Sequence, residues 1–526
     1  RFQADQNSHQ GSIRFNLGDL KGQVELKNIT VKKQIGSIDN IDAAEYQNGF
    51  NWDRPAFVWR NSYSKDRMRD LVDFYIQLEE NYIQELSSHI RSLGYQGMIN
   101  GLNNYYGLAS TYAGRKDDFV NNHGYWDHPY WEQPGQWNPE SFQMHNDSVF
   151  DRADKNPLLQ FGVNRTAGKP MMVTEWNSNY FSNYDYELPF LMPIYASALS
   201  WNGVFTHEAG YKGKLTDHQP LTFFDIYANP QKMSFLGLGS YIYLQDLAPS
   251  IDEQETVSVS RQQVLDQQLE YGSLNEYDYP KNLSIPFNPD LKTKTYTSFP
   301  HSPDRPDLKD RSSSGIDYSS EQKLVQAEND DLSAIMGQLN SGVSGEYLEI
   351  KEGSAEGAVI MIPLDNKKLF ASEKILLYAV SDIKNRNGAC ELGQEQRGIK
   401  ENYNCEVGEW PPRLKNMDIK LKLKNIPTGL KVYSLNNKGE IKNKISHQNY
   451  NFQFPSDTIW CVIEGEAEEL GVPTQPQVSS SLKKEVELIW EGEPYHDSNS
   501  YWDFSRFNYL DHQNKKHLNY FINNRD

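Results

Sequence analysis

The chain has 526 residues, with 52 Lys and Arg against 71 Asp and Glu, for a formal net charge of −19. That length provides for about two to four domains with sizeable cores. An acidic chain without a Lys/Arg block disfavours a nucleic-acid partner. A mean hydropathy of −0.74 with no run of 18 apolar residues leaves no segment to span a membrane. Aromatics make up 13% of the residues, including 32 Tyr and 11 Trp; the excess suits flat sugar-stacking surfaces, although most such rings belong to cores. The three cysteines, Cys390, Cys405 and Cys461, allow one Cys390–Cys405 bridge in an oxidising compartment but no disulfide framework.

In chain order, "GSIRFNLGDLKGQVELKNITVKK" (11–33) alternates apolar and polar residues around a Gly-containing turn. It reads as the last strands of an antiparallel β-sandwich, over 1–38, too short to close a sandwich by itself. From Ser64 the period changes. Met68, Leu71, Val72, Tyr75, Leu78, Tyr82, Ile83, Leu86, Ile90 and Leu93 recur at three- and four-residue spacing, which predicts a long amphipathic helix capped by Ser64 and Gly94. Short apolar strands follow near 97–101, 117–122, 170–175 and 202–207, with a helix marked by Leu191, Ile194, Tyr195, Ala198 and Leu199 before the last. Alternating strand and helix predicts parallel βα units over 39–250.

The sequence predicts an irregular, Pro-, Asp- and Ser-rich insertion or linker over 251–319. The runs "AVIMIPL", "KILLYAV", "DIKLKLKNI", "LKVYSL" and "TIWCVIEG" then predict a C-terminal antiparallel β-sandwich over 320–470, followed by a linker and an unassigned tail over 471–526. The fold class expected is therefore α/β plus all-β.

The stretch "PMMVTEWN" poses a chemical question. Met171, Met172 and Val173 read as a buried strand, yet the run ends in Glu175. A carboxylate loses free energy on leaving water, so it is solvated, paired or used. An active-site acid, a structural ion pair and an ordinary surface Glu all satisfy that condition.

The order of "HGYWDHP", "VTEWN" and "WNGVFTHEAGY" on successive strands resembles strands six, seven and eight of a clan A glycoside hydrolase, a retaining (β/α)8 TIM-barrel family. The resemblance covers about residues 50–250, and the later β domain is similar to the sandwich that often follows such barrels. It implies that the chain holds the second half of the barrel, strands five to eight, after the remnant of a carbohydrate-binding-like β-sandwich. It makes Glu175 the nucleophile, with His123 and Tyr125 as the strand-six His-x-Tyr. Asn103, Asn104, Trp126, Asp127, Trp131, Trp137, Trp176, Asn177, His207 and Glu208 are the substrate-binding candidates. It implies a polysaccharide or oligosaccharide substrate cleaved at β-glycosidic bonds, no cofactor, no resident metal, and a secreted, cell-surface or periplasmic location.

Retaining hydrolysis needs an ionised carboxylate at the anomeric carbon and a second carboxyl group about 5–5.5 Å away. The family carries that second group as the Glu of an Asn-Glu pair ending strand four, and no such pair follows an apolar strand upstream of the long helix. The expectation is that the acid/base lies in a part preceding Arg1, and that residues 1–526 alone are inactive and prone to aggregate. Glu208 is the in-chain candidate that would reverse this. Strand eight also carries His207 and Glu208 in place of the family's usual Trp. Two rivals remain: a carbohydrate-binding barrel without catalysis, and a metal-dependent hydrolase using His123, Asp127, His128 and His207. Asn28, Asn164 and Asn282 each begin a glycosylation pattern, for which a chance match is the default.

Overall fold

The computed structural model describes residues 65–102, 108–131, 141–151, 157–158, 161, 164–209, 224–226, 229–251, 253–271, 293–298, 315–392, 403–415 and 417–465. Helix and strand are mixed, and the sheets are mostly antiparallel. The N-terminal module over 1–38, the tail over 471–526, Asn28, Asn103, Asn104, Trp137 and Asn282 lie outside the described residues.

Helix α1 spans Lys65–Ser92. It ends at Gly94, whose φ of +93° suits a residue without a Cβ. Its Val72, Ile76 and Ile83 are buried. Val72 and Ile76 pack with Leu108 and Tyr112, on or beside helix α2 (Leu108–Ala113). Three parallel strands follow: β1 (Val120–Trp126), β3 (Met171–Ser178) and β4 (Gly203–Thr206), in the order β1–β3–β4. Strand β2 (Ser141–Met144) joins a different sheet. Helix α3 (Glu187–Ala198) lies between β3 and β4 in sequence, and helix α4 (Pro230–Leu244) follows β4.

Residues 97–102 form no strand, contrary to expectation. Side chains from the approach to β1 take the backbone donors that a ladder would use: Asp118 Oδ2 accepts from Ile99 N at 2.7 Å, and Asp117 Oδ1 from Gly101 N at 2.6 Å. The segment still lies beside β1, since Asn121 donates to Leu102 O at 3.0 Å.

The 251–319 stretch also departs from its reading as irregular. Strand β5 (Glu253–Ser258), helix α5 (Arg261–Tyr271) and strand β6 (Thr293–Ser298) include a parallel β5–β6 pair. Few apolar residues announce this unit. Val259 and Val264 bury themselves against Val72 and Tyr112, and ion pairs Arg261–Asp73 and Arg69–Asp266 tie α5 to α1.

Strands β7 (Ile316–Ser319), β8 (Leu324–Asn329), β9 (Leu332–Asn340), β10 (Leu348–Pro363), β11 (Lys374–Val380), β17 (Lys431–Leu435), β18 (Ile441–Ile445) and β20 (Trp460–Glu464) make one antiparallel sheet. The first half of β10 pairs with β16 (Ile419–Leu423) across a register shift between Ile350 and Glu352; β16 also pairs with β19 (Asn451–Gln453). The second half of β10 pairs with β9 and β11.

Alternation along β10 puts Ala358, Ile360 and Ile362 in one core and Val359 and Met361 in another. The first core is shared with α3 and α4, where Phe235 meets Tyr378 at 5.5 Å between ring centres and Ser234 Oγ lies 3.0 Å from the Tyr378 hydroxyl. Both faces of this stretch are buried, which is why its sequence is a continuous apolar run.

Cys390 and Cys405 are bridged, with an S–S distance of 2.05 Å, across the hairpin of β13 (Ala389–Leu392) and β14 (Tyr403–Glu406). β14 pairs in turn with β2. Beside this hairpin, β12 (Ile383–Arg386) pairs with β15 (Glu409–Leu414).

Glu187, in the first turn of α3, is buried and accepts from Ser148 Oγ and Val149 N, both at 2.8 Å. Burial pushes its carboxyl up to about 8. The folded protein thus holds a proton that the unfolded chain releases near about pH 4.3. The associated stability is complete below that pH and is lost as pH rises through about 8. Urea titrations between about pH 5 and pH 9 should show a loss of a few kcal/mol that is largely absent in Glu187→Gln. Equal pH slopes in both proteins would rule out this assignment.

Candidate active site

The site forms where β1 and β3 run side by side. Residues two apart on a strand share a face, so His123 and Tyr125 project together. His123 stands in register with Glu175 on β3. The Tyr125 hydroxyl donates to Glu175 Oε1, and His123 Nδ1 lies 3.4 Å from Oε2. The Glu175 side chain is 31% exposed and His123 10%, so the carboxylate opens to solvent while its imidazole neighbour is recessed.

The imidazole is oriented from behind. Asn121 donates to Leu102 O, which leaves its Oδ1 to accept from Thr174 Oγ1. Thr174 Oγ1 therefore accepts from His123 Nε2, 2.9 Å away. A neutral His123 in this arrangement carries its proton on Nε2, and only the imidazolium donates to Glu175. Burial lowers the His123 pKa, with the Glu175 charge opposing. Burial, and then the hydrogen bond to Glu175, holds the Tyr125 phenol far above its ordinary value, so it stays a donor.

An aromatic wall surrounds the phenol. Tyr125 meets Phe224 at 4.4 Å, His128 at 5.3 Å and His207 at 6.2 Å between ring centres. Phe224 lies after a long polar stretch with no strand signal, so its place in the site was not legible. His128 stood among the metal-ligand candidates; it is exposed, with Nδ1 2.6 Å from Pro129 O, and desolvation lowers its pKa. Among the described residues, no group of three or more His, Cys, Asp or Glu side chains is arranged to hold a metal ion.

The remaining candidates occupy varied positions. Trp126 and Trp176 are each 6% exposed within the principal core, so their rings are already covered. Trp126 Nε1 donates to Asp147 O at 2.8 Å. Asp127 is buried and engaged, accepting from His145 Nδ1 at 2.7 Å and Asn146 N at 2.8 Å, which fixes the turn after β2. Asn177 is fully buried and donates to His207 O and Phe224 O, joining the ends of β3 and β4. These four residues are buried and already engaged. Trp131 is half-buried against the cluster containing Phe142, Phe181 and Phe224. His207 and Glu208 are partly open, at 40% and 26% exposure, with His207 Nε2 3.9 Å from Glu208 Oε2. Asn164 of the glycosylation pattern is buried and donates to Asn122 Oδ1 at 2.5 Å, which removes it from reach of a glycan in the folded protein.

A cavity of about 90 Å³ lies on the helix side of the sheet, lined by Met192, Val204, Phe235 and Tyr243 and also by Trp176, Asn177 and Lys232. It presents no carboxylate or imidazole.

No protein-family model matches this chain, and no curated protein or solved structure matches it.

Proposed function

We propose that this chain carries the nucleophile of a retaining glycoside hydrolase that cleaves β-glycosidic bonds in a polysaccharide or oligosaccharide outside the cell. The observation that carries this reading is the Glu175 carboxylate, solvent-open at a parallel strand and flanked by the Tyr125 hydroxyl and His123. In this reading β1, β3 and β4 are strands six, seven and eight of a (β/α)8 barrel, whose catalytic groups gather at the C-terminal strand ends. Their parallel order and the shared end of Glu175, Tyr125, His207 and Glu208 support that placement.

In the reaction, Glu175 attacks the anomeric carbon and forms a glycosyl ester as the leaving oxygen departs; water then cleaves the ester. The Tyr125 hydrogen bond stabilises the ionised nucleophile before attack and keeps its Oε1 oriented. A second carboxyl group must protonate the leaving oxygen.

The test is hydrolysis of a panel of β-linked polysaccharides by the native full-length protein, with product anomers followed by proton NMR from the first turnovers. Release of sugars with retained configuration is expected. Initial formation of the inverted anomer, or failure to cleave any β-glycan, would overturn the reading.

A further inference from the structure

Glu208 lies two residues beyond Thr206, the last residue of β4, at the same end of the parallel sheet as Glu175. His207 N donates to Trp176 O at 3.0 Å, so the chain leaving β4 stays beside β3 at the residue following Glu175. The Glu208 backbone is held on both sides: its N donates to Phe224 O at 3.3 Å, and its O accepts from Ile226 N at 3.1 Å. Its side chain is 26% exposed, which leaves the carboxyl access to a bound substrate. With Trp176 and Thr206 in register, Glu208 lies beyond the end of β4 and further along the sheet than Glu175, and the charges of both carboxyl groups act on the Tyr125 phenol.

Resting on the retaining reading above, we propose that Glu208 is the general acid/base that works with Glu175. The groups that act on it are His207, Asp225, Glu175 and, across the site, Tyr125. Burial raises the Glu208 pKa; His207 opposes this, and the charges of Asp225 and Glu175 reinforce it. Two carboxyl groups set in one site with one biased towards its protonated form are the arrangement by which acid and nucleophile roles separate. In the first step Glu208 gives its proton to the glycosidic oxygen as the C1–O bond breaks and a Glu175 oxygen bonds C1. In the second, the Glu208 carboxylate takes a proton from water as the water oxygen bonds C1. Glu175 departs as carboxylate and Glu208 is again protonated.

The experiment compares full-length wild type, Glu208→Gln, Glu208→Ala and Glu175→Gln on an unactivated β-glycan and on a dinitrophenyl glycoside, with and without azide. General acid assistance is typically worth about 10²–10⁴-fold. Glu208→Gln should lose that much on the glycan while keeping its glycosylation rate on the dinitrophenyl substrate, and the basic limb of its kcat/KM profile should vanish. Azide should restore turnover by Glu208→Ala and give a glycosyl azide of retained configuration. Unchanged glycan cleavage by Glu208→Gln, with Glu175→Gln silent, would overturn the assignment of Glu208 and leave the retaining reading in place. Equal losses on both substrates without azide rescue would also overturn it, by reducing Glu208 to a support. Full activity in Glu175→Gln would instead remove the retaining reading and this proposal with it.

Discussion

Replacing Glu175 by Gln is expected to lower turnover on order of 10³-fold or more, because the amide cannot form the glycosyl ester. The substitution isolates chemistry from folding. The Gln carbonyl oxygen still accepts from Tyr125, and its amide nitrogen can donate to the lone pair that a neutral His123 presents on Nδ1. Stability should therefore change by less than about 1 kcal/mol, as for a substitution at a partly exposed position. Two measurements decide the matter: initial rates on the best glycan, and urea unfolding monitored by circular dichroism. Near-wild-type rates in a folded Glu175→Gln protein would remove the nucleophile from this residue. Loss of folding would reassign Glu175 as structural.

The largest effect on stability is expected at Lys232. This side chain, in the first turn of α4, is buried and reaches Asp185 Oδ1 at 3.0 Å and Ser178 O at 2.6 Å. Asp185 also accepts from Ser178 Oγ at 2.5 Å and Asn229 Nδ2 at 3.2 Å. These contacts tie the end of β3 to the segments that begin α3 and α4. Lys232→Met removes the cation and leaves the Asp185 charge buried, at a typical cost of about 3–5 kcal/mol. Adding Asp185→Asn should recover a substantial part, since a neutral amide replaces an uncompensated carboxylate. Urea midpoints of the two single variants and the double variant give the coupling directly. A loss below about 1 kcal/mol in Lys232→Met would show that the pair does not hold these elements together.

Much of the local structure could be read from the sequence because it is periodic. The three- and four-residue spacing from Met68 to Leu93 marks α1, and short apolar stretches mark β3 and β4, while β1, Val120–Trp126, shares only its first three residues with the expected strand at 117–122. Periodicity places His123 and Tyr125 on one face of β1; that Glu175 meets them was an expectation from the family resemblance, and the register of β1 with β3 sets it. The sequence allowed a Cys390–Cys405 bridge without requiring it, and the structure contains that bridge, with Cys461 free and buried.

The failures share a cause. At 97–102, neighbouring Asp117 and Asp118 capture the backbone donors of a segment with strand-like composition. At 253–298, ion pairs to α1 support a polar unit that lacks an apolar pattern. Trp126, Asp127, Trp176 and Asn177 have residue types suited to sugar binding, but packing buries them. Residue type states what a side chain can do; burial decides whether it is available to do it.

The sequence by itself determined where the chain alternates, where it coils into a helix, and that a carboxylate follows an apolar run in a strand. Those properties depend on neighbours within a few residues. Only the tertiary structure decided that Phe224 walls the Tyr125 ring, that Lys232 closes over Asp185, and that the disulfide hairpin pairs with β2, with Gln143 donating to Asn404 at 2.9 Å. Such contacts join residues tens to hundreds of positions apart. They follow from loop closure and from the burial of both faces of a sheet, which no local period records.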